Sequence, residues 1–272
     1  MNVSTLKDTP PWDWPEGTGK QLLDILRDDQ ATESELFLAA ELAGDFIVIN
    51  DELADALVSV VQRADTSEKS RGQAAISLGP VLEQVDTEGV EDVADLSRAE
   101  PTFHRIQESL RQLYLDGSVP REVRRRILEA SVRAPQDWHQ AAVGAAFSSD
   151  DEAWRLTAVF CMRVVRGFDA QILEALDTAN QDIRYEAVVA AGHWAVDAAW
   201  PHVAALVTAG DTDQPLLLAA IDAVASIRPH EAAAILEDLA DSADEEIVAA
   251  VDEAMAMAHG FSDEDEVDDF ER

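Results

Sequence analysis

The chain has 272 residues, 55 acidic against 20 basic, for a formal net charge of −35, and 47% of it is hydrophobic. That apolar share supports a packed core and excludes a wholly disordered chain. The shortage of cations argues against a surface that binds a phosphate backbone or an anionic lipid leaflet, so neither nucleic acid nor membrane is expected as a partner.

The N-terminal stretch MNVSTLKDTPPWDWPEG lacks the apolar core of a signal peptide. No run reaches the roughly 18 apolar residues of a spanning helix. A cytoplasmic protein is the expectation. Residues 1–16 are expected to cap the first hairpin through Trp12 and Trp14. The EGTGK at 16–20 is half a phosphate loop, but Trp14 and Gln21 occupy the places that need Gly and Ser or Thr. Nucleotide binding is therefore not expected.

Internal repetition is the dominant signal. A short segment rich in small residues recurs with its end at Gly44, Gly79, Val132, Arg163, Gly192, Ala225 and Ala256. Arg71, Arg124, Arg155 and Arg184 occupy one shared place within it. Each copy follows a second stretch of helical period, at 17–28, 51–64, 102–115, 137–147, 169–178, 198–208 and 230–240. Prolines 101, 120, 135, 215 and 229 fall near helix starts, where a missing N–H costs little. The reading is seven helical hairpins without strands. The acidic stretch 83–100 is expected to be an inserted surface loop, and 259–272 an acidic disordered tail. Asp263 and Asp265 alternate in that tail, but Val267 and the lack of a following Gly break a calcium-loop pattern.

Charge is uneven along the chain. Residues 1–97 carry 6 basic and 21 acidic side chains, 98–184 carry 12 and 13, and 185–272 carry 2 and 21. Only Lys7, Lys20 and Lys69 are lysines, a composition like that of proteins that stay soluble in high salt.

The recurring acid, aliphatic, Arg, Ala and Gly pattern of the second helix resembles the HEAT repeat, and more closely the short HEAT-like repeat of phycobilisome bilin lyases. The resemblance covers residues 17–258. Its fullest copies are 66–79, 150–163 and 178–192, while those at 30–44 and 211–226 lack the arginine. It implies an all-α, right-handed α-solenoid of about seven hairpins, whose second helices line a concave face. The function this implies is a non-enzymatic scaffold that binds a protein or peptide. The alternatives are a bilin-lyase-like chaperone, an iron enzyme resembling deoxyhypusine hydroxylase, and an acidic nucleic-acid mimic. The hydroxylase would need several His-Glu pairs, and only His230-Glu231 has that form. No cofactor or metal is expected.

The candidate partner-binding residues centre on VPREVRRRILEASVR at 119–133. Val123, Ile127, Ala130 and Ala134 form one apolar face. Glu122 with Arg126 and Glu129 with Arg133 have the favourable i,i+4 order. That leaves Arg121, Arg124 and Arg125 for an acidic partner, with Arg155 and Arg184 in support and Trp138, Trp154 and Trp194 as anchors. The competing reading makes Arg124, Arg155 and Arg184 an internal ladder paired with acids such as Asp150, Asp151 and Asp182. His139, His193 and His202 lie beside aromatics and read as packing residues. Cys161, the single cysteine, excludes an intramolecular disulfide and reads as a buried, inert thiol.

Overall fold

The computed structural model describes the backbone of residues 3–7, 9–45, 51–87 and 93–268, and their side chains apart from 4, 84–87, 93–101 and 259–268. Every regular element among the described residues is helical, and none is a strand. The chain divides into two compact units, Met1–His139 and Gln140–Arg272.

In the first unit α1 (Thr18–Arg27) pairs with α2 (Glu33–Gly44), α3 (Asp51–Gln62) with α4 (Glu68–Ile76), and α6 (Val93–Leu115) with α7 (Arg121–Ser131). The first members stack as a layer α1–α3–α6, and the second members as a layer α2–α4–α7. One hairpin cannot cover its own apolar stripe, and its neighbours cover it instead. Leu22, Leu26, Leu53, Leu57, Ile106 and Leu110 of the first layer are fully buried. They meet the small residues Ala39, Ala40, Ala74 and Ala75 of the second layer, also fully buried. Further along, Val123 and Ile127 of α7 are buried on the face expected for them.

The boundary between the units falls within α8 (Asp137–Phe147). The second unit continues with α9 (Glu152–Met162), α10 (Asp169–Leu176), α11 (Gln181–His193), α12 (Trp200–Thr208), α13 (Gln214–Ile227), α14 (Pro229–Leu236) and α15 (Glu245–Asp268). Here α10 pairs with α11, α12 with α13 and α14 with α15, while α9, α11, α13 and α15 stack in sequence. Gly192 shows why small residues recur at the repeat's end. A Cβ there would lie 2.9 Å from both Cα and Cβ of Ala223 on the neighbouring helix. Gly44 is crowded likewise, its place for a Cβ 2.9 Å from Ser77 Oγ.

Most of the second helices start on a side-chain cap. Thr32 and Glu35 form a reciprocal capping box on α2. Ser67 caps α4, Asp151 caps α9, Asn180 caps α11 and Asp213 caps α13. Each cap satisfies one or two of the amide N–H groups that the first helical turn leaves unpaired.

Four local expectations are revised. Trp12 is 75% exposed, so the N-terminal cap is made instead by buried Val3 and Leu6 together with Trp14. The Trp14 indole N–H donates to the Thr9 carbonyl at 2.7 Å. The stretch 83–100 holds the end of α5 (Gly79–Thr87) and the start of α6 rather than a continuous loop, with 88–92 outside the described residues. The α15 backbone is helical through Asp268, into the stretch expected to be without structure, because extending an existing helix needs no new nucleus. Residues 269–272 lie outside the described residues. Lastly, Arg133 pairs with Glu83 at 2.8 Å rather than with Glu129.

Candidate binding surfaces

The shared arginine place is the fourth residue of its helix in α4, α7, α9 and α11. From there the side chain reaches back toward the preceding helix. Arg71 Nε donates to the Val61 carbonyl at 2.9 Å, in the last turn of α3. Arg124 Nε donates to the Val119 carbonyl at 3.2 Å, and an Arg184 amino group to the Thr178 carbonyl at 3.0 Å. These carbonyls belong to helix ends and loops that lack a regular backbone partner. Arg155 departs from the pattern, with Glu174 at 3.8 Å and the Phe147 ring centroid at 5.6 Å. The arginine place therefore works largely as a carbonyl clamp. No ion pair joins these arginines to Asp150, Asp151 or Asp182 among the described residues, because backbone carbonyls take Arg124 and Arg184 and Glu174 lies nearest Arg155.

Arg125 is the largest departure from the sequence reading. Its side chain is only 9% exposed, with Glu122 Oε1 at 2.6 Å and Glu129 Oε2 at 3.6 Å. Helical spacing allows both contacts, Glu122 three residues before Arg125 and Glu129 four residues after it. The Arg125 hydrogen bond is the main reason that the Glu122 carboxyl is held below its ordinary range. Arg126 joins the same network, at 3.2 Å from Glu122 and 3.0 Å from Glu129. Arg121, at the first position of α7, is exposed.

The three tryptophans part company. Trp154 is buried at 8% exposure and is a packing residue, because its place on α9 faces the interior. Trp138 is half-buried, donates to Gln136 Oε1 at 2.8 Å and stacks on His139 with ring centroids 3.9 Å apart. Trp194 is half-buried and follows α11 directly. Its indole N–H donates to the Met162 carbonyl at 2.7 Å, closing the end of α9. The Arg166 guanidinium lies 4.5 Å from its ring centroid.

A groove of about 500 Å³ opens on the α2–α4–α7 layer. Phe37, Gly72, Gln73 and Ile76 line it together with two charged pairs of opposite sign, Glu68 with Lys69 and Glu122 with Arg126. The Lys69 ammonium lies 4.4 Å from the Phe37 ring centroid. At Gly72 a Cβ would come within 3.1 Å of Arg126 Cγ, so this glycine leaves room for the arginine stem. Phe37, Gly72, Gln73 and Ile76 carry no motif in the sequence that marks them as a site. Lys69, one of three lysines and three residues before Gly72, is the one available signal. A second hollow of about 380 Å³ is lined by Asp28, Asp29, Glu33, Asp65 and Arg63. Arg63 there donates to the Leu26 carbonyl at 2.8 Å, at the end of α1.

His139 and Ser131 are the closest approach to catalytic side chains. The imidazole is fully buried, with Nε2 3.0 Å from Ser131 Oγ and Nδ1 accepting from the Gln136 N–H at 2.8 Å. Burial pushes the imidazole pKa down to about 4. Neither side chain lines the two hollows described above, and the serine is also buried. It is a packing pair. Cys161 is fully buried. Among the described residues no group of three or more His, Cys, Asp or Glu side chains is arranged to hold a metal ion, and no helix is long and apolar enough to cross a membrane.

No protein-family model and no curated protein matches the chain. Among solved structures, an engineered protein matches with 19% identity and a TM-score of 0.46, over 78% of this chain and 97% of that one. Human deoxyhypusine hydroxylase, solved with glycerol, matches with 18% identity and a TM-score of 0.40, over 95% of this chain and 88% of that one.

Proposed function

We propose that the chain is a non-enzymatic scaffold built from HEAT-like hairpins, and that it binds a protein or peptide on its second-helix layer. The observation that carries this reading is the groove on α2–α4–α7. It joins the apolar side chains of Phe37 and Ile76 to Gln73 and to the charged groups of Glu68, Lys69, Glu122 and Arg126. A few placed polar groups around an apolar hollow is the usual composition of a binding site. Arg121 extends the positive charge along α7, whereas Arg124 and Arg125 act by shaping that helix.

The test places a photo-crosslinking residue at Gln73 in the groove, or at Gln112 on α6, in the full chain within native lysate. A defined protein adduct from position 73 and none from 112 is expected. Ile76→Glu should remove that adduct without loss of helical signal, and Arg121→Glu should weaken it. Equal adducts from both positions, or capture that survives Ile76→Glu in a folded protein, would overturn the reading.

A further inference from the structure

Arg166 is exposed and has no carboxylate within ion-pair distance among the described residues, in a chain with 55 acidic side chains. Nearby Arg163 is satisfied by Glu186 at 3.2 Å and lies over the Phe160 ring. Arg166 instead lies over Trp194, at 4.5 Å from the centroid. That contact covers the guanidinium with the indole and leaves N–H groups for another acceptor.

The indole beneath it is not a loose surface group. Its N–H is committed to the Met162 carbonyl, and the His193 ring stands edge-on to it at 4.5 Å. The backbone on both sides turns through the left-handed region. Gly167, directly after Arg166, has φ +91°, and Ala195, directly after Trp194, has φ +47°. Ala195 is the one non-glycine at positive φ among the described residues. Such a conformation disfavours a Cβ and persists where the surroundings impose it. Here the Val196 N–H bonds to the Ala191 carbonyl at 2.9 Å and the Ala195 N–H to the Gly192 carbonyl at 3.0 Å, closing α11 in a Schellman turn. Val164, 36% exposed, adds an apolar side chain from the turn after α9.

We infer that Arg166, supported on Trp194, is a carboxylate-binding site for an acidic segment of a partner polypeptide. A guanidinium already ordered on a fixed ring loses less freedom when it grips a carboxylate. Its planar fork suits two parallel hydrogen bonds to one carboxylate. The site lies in the second unit, so it stands or falls separately from the groove of the first.

The probe is a fluorescein-labelled octapeptide of alternating Glu and Ala, titrated with the full chain and followed by anisotropy at low and high salt. The same peptide with Gln for Glu is the uncharged control. Salt-sensitive binding is expected for the Glu peptide only. Arg166→Gln should weaken it about tenfold, the effect of losing a charge-assisted hydrogen bond, with the melting temperature unchanged because the side chain is exposed. Arg166→Lys should recover only part of the affinity, because an ammonium lacks the fork. Trp194→Phe should weaken binding while keeping the charge. Arg27→Gln, at another exposed arginine far along the sequence, should change nothing. The inference is overturned if Arg166→Gln binds as tightly as the parent, if Arg27→Gln weakens binding equally, if the Gln peptide binds as well, or if inorganic phosphate displaces the peptide at matched concentration.

Discussion

Both ring nitrogens of His139 are engaged inside the core, which keeps the ring neutral. Nδ1 lies 2.8 Å from the Gln136 N and 3.2 Å from its carbonyl oxygen, and Nε2 lies 3.0 Å from Ser131 Oγ, whose own proton reaches the Leu128 carbonyl at 3.4 Å. Charging the ring would strand a cation in apolar surroundings, and burial accordingly lowers its folded pKa from 6.5 to about 4, the hydrogen bond to the Gln136 backbone opposing that fall only in part. The unfolded chain therefore binds this proton first as pH drops. The stabilisation is complete above about pH 6.5 and is lost as pH falls toward 4, amounting to about 2 kcal/mol by pH 5. Imidazole NMR should show His139 still neutral at pH 5; titration near 6.5 would refute the buried network. At Arg71, only 4% exposed, removing the donor leaves the Val61 carbonyl unpaired. Arg71→Leu should cost about 2 kcal/mol in denaturant unfolding, and Arg71→Lys should not restore it, because lysine has no donor at the Nε position.

At the scale of the helix, the repeat is punctuated by a cap and a clamp. The cap precedes the fourth-position arginine by four residues: Ser67 before Arg71, Asp151 before Arg155 and Asn180 before Arg184. In α7 the cap place is Pro120, which offers no side-chain acceptor. Asn180 takes two N–H groups, from Asp182 at 3.1 Å and Ile183 at 3.2 Å. Asn180→Ala should destabilise by about 1 kcal/mol in thermal or urea unfolding, and Asn180→Ser by much less. Helix closeness sets the second test. Gly192→Ala would drive a methyl to 2.9 Å from Ala223, where the backbone must move, so a loss of about 1–3 kcal/mol is expected. Gly117, with nothing within 4 Å of its place for a Cβ, should accept alanine without such a clash.

Across the whole molecule, charge dominates. The described ion pairs lie mostly at partly exposed side chains, where each contributes little. They cannot offset an imbalance of 35 charges. Added salt screens both the pairs and the repulsion, and the repulsion is the larger. The melting temperature should therefore rise from low ionic strength to about 1 M, where the Debye length is roughly 3 Å. A flat or falling curve would show that self-repulsion does not oppose folding here.

The hairpin order was legible in the sequence because helical period, small-residue spacing and proline position are local properties. The expected first-helix segments 51–64 and 137–147, for example, match α3 and α8 closely. The arginine place could be read as well, since all four copies share a fourth-position register. Its partner could not. Val61 lies ten residues before Arg71, and only the packing of α3 against α4 brings the carbonyl to the guanidinium. The same limit explains the site residues. Arg125 looked available on a helical wheel, but tertiary packing left it 9% exposed between two glutamates, and Trp154 turned inward. Arg166 and Trp194 stand 28 positions apart without a motif, and they meet because α9 and α11 stack. Composition and period thus determined the helices and their order, through forces acting within a few residues. Which cations remain open to a partner was decided only by which carbonyls and carboxylates the folded helices brought within reach.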